Sequence, residues 1–146
     1  MARNYDGIDL LWSNVGDFAI GHDGDIADTR FDVLLAVSQD VYDRAKSDLR
    51  DWKEIPLVGA NISDFAGEPN TERNGNLLKR RVLNSMIPYG VIDVVDVTVD
   101  VWPIGIDRVQ GEITLRVAPT LRNKNSQLVK QRILYDYSEN HVVPRG

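Results

Sequence analysis

Residues 91–102 read VIDVVDVTVDVW, and from Val95 the pattern alternates strictly. Val95, Val97, Val99 and Val101 face one way; Asp96, Thr98 and Asp100 face the other. A period of two in β-branched residues marks a half-buried strand. Just upstream, Ile92 and Val94 flank Asp93 in the opposite phase. A bulge near Val94-Val95 reconciles the halves, because one extra residue moves every later side chain to the other face. This strand is expected to be central to one sheet, with the remaining chain pairing with it or covering it.

Downstream, Trp102 to Arg108 (WPIGIDR) reads as a connection containing Pro103 and Gly105. Alternation then resumes. Val109, Ile113, Leu115 and Val117 share one face; Gln110, Glu112, Thr114 and Arg116 share the other. This run is the antiparallel partner of 91–102. Pro119 to Ser126 is a polar loop. Gln127 to Tyr137 is a third extended run, with Val129, Ile133, Tyr135 and Tyr137 on one face. Residues 138–146 read as a polar tail, apolar only at Val142-Val143 and stopped by Pro144.

Upstream, Leu78, Val82 and Met86, joined by Leu77 and Leu83, predict a helix from about Thr71 to Met86. Gly75 leaves Asn76 open as an alternative cap. Residues 56–70 form a loop whose apolar anchors Leu57, Val58, Ile62 and Phe65 should pack it down on the domain. Before it, Leu34, Val37, Val41, Ala45, Leu49 and Trp52 recur at spacings of three and four, widened by Phe31, Leu35, Ser38 and Tyr42. That stripe predicts a helix of about six turns, capped by Asp28 or Thr29 and ended by Pro56 at the latest. Asp40 and Arg44 form an i,i+4 pair on its outer face. Residues 10–27 read as short extended segments, with Asp23-Gly24 as a hairpin cue.

The order is β-β-α-α-β-β-β. It predicts an α+β fold: an antiparallel sheet of about three main strands with two helices packed on one face, plus an N-terminal hairpin. The whole of 1–146 is expected to be one domain, with 10–137 as its ordered core.

The chain has 146 residues, no Cys and a net charge of -5. The lack of Cys excludes disulfides, thiolate metal sites and Cys nucleophiles. The acidic balance argues against nucleic acid, which calls for a basic face. Lys79-Arg80-Arg81 would point in different directions on a helix and reads as a solvated face. No apolar run approaches the ~20 residues of a membrane span. No signal-peptide core is present, so the protein is expected to be made and kept in a cytoplasm.

Asp23, Asp25, Asp28 and Asp32 are the nearest thing to a metal loop. A calcium loop starting at Asp23 needs Gly at its sixth position and Glu at its twelfth; Asp28 and Leu34 stand there. The cluster reads instead as a turn before a helix N-terminus. His22 and His141 lie beside turn or tail residues, with no nucleophile or zinc motif near them. No catalytic, cofactor or metal residue is assigned. Trp12, Trp52, Trp102, Tyr135 and Tyr137 read as core and interface. A three-stranded sheet has two free edges, and a free edge is a template for another chain's strand.

The layout resembles the small baseplate wedge proteins, or sheath initiators, of contractile phage tails and related injection machines, the GPW family. The likeness covers about residues 15–118. It lies in the turn Gly24-Asp25-Ile26 before a long helix containing Gln39, the loop with Gly59, Ile62, Phe65 and Gly67, and a second helix leading to strands 94–101 and 109–117. The family's Glu-Pro-Arg-like signature stands here as Ile87-Pro88-Tyr89-Gly90, keeping only the Pro. The resemblance implies a structural, non-enzymatic role in the virion's tail baseplate, in multiple copies in a symmetric ring. The implied partners are the tail sheath protein, the tail tube protein and other baseplate wedge proteins, with the first sheath ring templated by strand exchange. Candidate partner-binding residues are Val129, Gln131, Ile133, Tyr135 and Tyr137 on the last run, with Pro88 and Tyr89. A lysozyme-like glycan hydrolase and a generic adaptor domain are the alternative readings.

Overall fold

The computed structural model describes residues 10–12, 18–29, 33–88, 97–117 and 127–144. Its elements are α1 (Val33–Lys46), a 3-10 turn (Ile62–Phe65), α2 (Glu72–Ser85), β1 (Val97–Pro103), β2 (Arg108–Val117), β3 (Gln127–Asp136) and β4 (His141–Pro144). The fold is α+β. Two helices pack on a four-stranded antiparallel sheet of order β1-β2-β3-β4. The first half of the alternating stretch, its proposed bulge, the start of the first helix at 30–32 and the loop at 118–126 lie outside the described residues.

Alternation and register agree along the sheet. Val99 sits opposite Ile113, which sits opposite Gln131; Val97 aligns with Leu115 and Val129. The buried apolar residues of β1, β2 and β3 therefore fall on one face. That face joins Val37, Val41 and Ala45 of α1 and Leu78 and Val82 of α2 in one apolar cluster. On the other face Thr98, Asp100, Lys130 and Arg132 are exposed. There Glu112 takes a hydrogen bond from Arg132 (2.8 Å) and lies 3.8 Å from Lys130. The Arg132 hydrogen bond holds its carboxyl below the usual range. Exposed pairs of this kind contribute little to stability.

The sheet has a fourth strand where a tail was expected. Asp136 builds the turn that makes it possible. Its Oδ1 accepts from the Ser138 hydroxyl (2.7 Å), the Ser138 N–H (2.9 Å) and the Glu139 N–H (3.2 Å). Asn140 then takes φ +49, a left-handed conformation Asn tolerates, and His141–Pro144 return along β3. Pro144 can occupy this edge because its missing N–H is not needed by an inner strand.

These bonds, with Arg108 Nε–H reaching Oδ2 at 3.2 Å, hold Asp136 at about 2, against 3.8 ordinarily. The folded value is depressed, so the stabilisation is complete above about pH 4 and is lost as pH falls toward 2. Chemical denaturation at stepped acid pH should show the wild type losing stability more steeply than Asp136→Asn across that window. Parallel curves would refute this account of the turn.

The first helix is shorter than its periodicity predicts. It ends at Lys46, and Leu49 and Trp52, assigned to its stripe, lie exposed beyond it. Ser47 breaks the run. Its hydroxyl donates back to the Asp43 carbonyl (2.6 Å) and accepts from the Trp52 indole N–H (2.9 Å), while its carbonyl accepts from the Ala60 N–H (2.9 Å). The Leu49 N–H goes to Asn61 Oδ1 (2.6 Å) and the Ser63 hydroxyl to Asp48 Oδ2 (2.7 Å). These side-chain and cross-loop bonds offer the backbone an alternative to further helix.

The returning strand of this loop passes close to the outgoing one at Gly59, where φ is +150. A Cβ there would lie 2.4 Å from the Asp48 carbonyl carbon. The loop's apolar anchors divide: Val58, Ile62 and Phe65 are buried, whereas Leu57 is exposed. Gly67, with φ +78, donates its N–H to the Tyr137 carbonyl at 2.7 Å.

Thr71 caps α2, its Oγ1 accepting from the Asn74 N–H at 3.2 Å, which decides between the two caps the sequence left open. Gly75 lies inside the helix, where a Cβ would meet only Val101 at 3.9 Å.

The Asp40–Arg44 pair forms, at 3.2 Å, but not on an outer face as expected: Arg44 is only 1% exposed. Its Nη1 donates to the carbonyls of Ser85 (3.2 Å) and Pro88 (2.6 Å), at and beyond the end of α2. Helix ends leave such carbonyls without intrahelical partners. One buried guanidinium thus ties the two helices together.

Candidate interaction surface

The predicted partner-binding residues separate sharply. Val129, Ile133, Tyr135 and Tyr137 are buried in the core, so their side chains serve the fold. The Tyr135 hydroxyl donates to Asn140 Oδ1 at 3.0 Å, and its pKa is pushed up to about 12, chiefly by burial. The Tyr137 hydroxyl, also raised by burial, finds no hydrogen-bond partner among the described residues. Pro88 is half-buried and engaged by Arg44; Tyr89 lies outside the described residues. Gln131 is half-buried and lines a surface groove.

The backbone beside Gln131 is the part of β3 left open. β4 covers Ile133 to Asp136 only. Residues 127–132 have β2 on one side and, among the described residues, no strand on the other. The outer edge of β1 is likewise unpaired among them.

The groove at this edge has a volume of about 520 Å³ and is walled by Trp12, Leu35, Tyr42, Trp52 and Pro144. Asp43, Asp51 and Lys46 supply its charge. Trp12 is brought there by Gln39 of α1, which acts like a strand edge: its Oε1 accepts from the Trp12 N–H and its Nε2 donates to the Leu10 carbonyl, both at 2.9 Å. Three short segments close on one another beside it. The Leu11 N–H goes to Ala27, the Ala27 N–H to Ala19 and the Ala19 N–H to Leu11, at 2.7–3.0 Å. Leu10, Trp12, Phe18, Ile20 and Ile26 are left exposed, with Trp12 stacked on Phe18 at 4.6 Å. The expected N-terminal hairpin is therefore a closed three-segment unit with an apolar outside.

The β1–β2 turn is a second apolar feature that its reading as a mere connection overlooked. Ile104 is exposed and Ile106 is 90% exposed. Yet the turn is pinned. The Ile104 N–H donates to the Arg108 carbonyl (3.1 Å), and Asn70 Nδ2 donates to the carbonyls of Gly105 (2.9 Å) and Arg108 (3.0 Å). The signal was available in the sequence: isoleucines flanking a turn glycine, where turns are ordinarily polar.

The acidic segment is a turn, as expected. Asp23 Oδ1 accepts from the Asp25 N–H (3.1 Å) and Asp25 Oδ1 from the Ile26 N–H (2.9 Å). No group of His, Asp and Glu among the described residues is arranged to hold a metal. His22 and His141 are exposed. What the described surface offers is open sheet edge and exposed apolar side chains, the chemistry of association. No protein-family model, no curated protein and no solved structure matches this chain.

Proposed function

We propose that this chain is a structural component of a contractile tail baseplate, a sheath initiator that offers a sheet edge to the tail sheath protein around the tail tube. The observation that carries the reading is the pair of edges left open among the described residues: the outer side of β1, and residues 127–132 of β3 running past the end of β4. A strand added at either edge gains main-chain hydrogen bonds without disturbing the core behind it. The residues that suggested the family also have physical work in this fold. Gln39 holds the N-terminal unit, Gly59 permits a backbone crossing, Ile62 and Phe65 are buried, and Gly67 bonds Tyr137. In this reading other baseplate wedge proteins hold the domain in a symmetric ring in the virion.

Electron microscopy of particles assembled with this gene silenced tests the proposal. The expected product is a baseplate bearing a naked tube without sheath. Normally sheathed tails with impaired cell-wall entry would reject it in favour of a glycan hydrolase. A source that makes no tail-like particle would favour an adaptor domain.

A further inference from the structure

We propose that the outward face of α2 is a docking surface for an acidic helix of another protein. The inference is independent of the baseplate reading. α2 turns Leu78, Val82 and Ser85 inward. Its opposite side carries Arg73, Asn76, Arg80 and Leu83, with Ile87 just past the end of the helix. Their alternating spacing of three and four makes a straight seam along the helix. Arg73, Lys79 and Arg80 are exposed, and none of the three makes an ion pair or a side-chain hydrogen bond among the described residues. By contrast Arg44, Arg81, Arg108 and Arg132 each hold a carboxylate.

Charge specifies the sign of the partner. The open side of α2 has these three free cations against one carboxylate, Glu72, so it attracts an acidic surface. The protein around it is acidic, with a net charge of -5. A second copy brings that same charge against its own kind, and RNA meets repulsion everywhere outside the patch. Spacing specifies a helix. Arg73 and Arg80 stand two turns apart, about 10 Å along the axis, and line a groove of about 420 Å³ with Asn76 and Leu77 between them. On a helix lying alongside, carboxylates seven residues apart share one face at that same separation. In an extended strand the nearest match is an offset of three residues, which sends the two side chains to opposite faces. Beyond the arginines the seam turns apolar, at half-buried Leu83 and at Ile87, which is 42% exposed. The matching helix therefore carries two carboxylates two turns apart and an apolar residue past one of them.

Calorimetric titration of the full chain with two synthetic helical peptides tests this. One peptide carries a pair of Glu residues seven positions apart with Leu a turn beyond; the other has Lys in place of each Glu. The wild type should bind the Glu peptide, less tightly as salt rises, and should ignore the Lys peptide. Arg73→Glu combined with Arg80→Glu should weaken the Glu peptide at least tenfold and bring in the Lys peptide. Ile87→Ser should weaken the Glu peptide about threefold or more, through the apolar end of the seam. Arg116→Glu, which reverses an exposed cation on β2, should leave the affinity unchanged. All these sites are exposed, and circular dichroism should confirm native folding. Should the double reversal misfold, Arg73→Gln combined with Arg80→Gln takes its place, with the same tenfold loss expected. A wild type that does not bind the Glu peptide, α2 variants that bind it as well as wild type, or an equal loss from Arg116→Glu would each overturn the proposal. Tighter binding of a single-stranded RNA oligonucleotide would overturn it in favour of nucleic acid, and self-association abolished by the α2 variants would overturn it in favour of a second copy.

Discussion

Gly59→Ala is expected to lose on the order of 3 kcal/mol of stability or more, from overpacking and backbone strain together. The added Cβ would lie 2.4 Å from the Asp48 carbonyl carbon and 2.6 Å from the Leu49 nitrogen. Both are backbone atoms, so no side chain can swing aside. Nor can either strand of the crossing retreat freely. The Ala60 N–H is bonded to the Ser47 carbonyl and the Leu49 N–H to Asn61 Oδ1, one on each side of the contact. The φ of +150 adds strain for any residue with a Cβ. Urea unfolding would measure the loss. A change below about 1 kcal/mol would mean that the two loop strands do not cross at this separation.

Arg44→Ala should cost about 3–5 kcal/mol, the range for removing one partner of a buried ion pair. The substitution takes a partner from Asp40 and leaves the carbonyls of Ser85 and Pro88 without the guanidinium that holds them. Arg44→Lys keeps the charge but not the planar fork that reaches all three acceptors, so it should recover part of the loss. Comparison of the three proteins by urea unfolding checks both statements. Equal stability of Arg44→Lys and wild type would show that charge alone matters. Equal stability of Arg44→Ala and wild type would show that the clamp contributes nothing.

The sheet was legible because its period is two and its residues are β-branched: Val97, Val99, Ile113, Leu115, Val129 and Ile133 all face inward as their spacing requires. The limits of legibility have physical causes. Leu49 and Trp52 continue the helical spacing of α1, but periodicity cannot register that the Ser47 carbonyl accepts from the Ala60 N–H and that the Leu49 N–H goes to the Asn61 side chain. Arg44 looked like an outer-face residue because a charge is ordinarily solvated. The end of α2, together with Asp40 on its own helix, supplies the acceptors that allow its burial. His141 to Pro144 looked like a tail because two valines are too short a run to announce a strand. The turn that creates β4 depends on the carboxylate of Asp136, which sequence pattern alone treats as polar filler. Among the candidate partner-binding residues, the alternation that singled out Val129, Ile133, Tyr135 and Tyr137 was a core signal. Residues on such a face cannot be exposed and buried at once. The groove beside Gln131 draws on residues from 11 to 144 and has no linear signature.

The sheet's strand order follows the order of the chain, each strand pairing with its immediate successor. Such a meander can zip up one hairpin at a time, with little chain to close at each step, which favours rapid collapse of the sheet over slow searching. It also grades the finished structure. β2 is bonded on both sides along its run opposite β1, whereas the short β4 is held by four register positions at the rim. Local opening is therefore expected to start at the β4 side, which hydrogen exchange would show as weaker protection there than in β2. Peeling back residues 141–144 would lengthen the edge of β3 that, among the described residues, no strand covers, while leaving the pairing of β1, β2 and β3 intact.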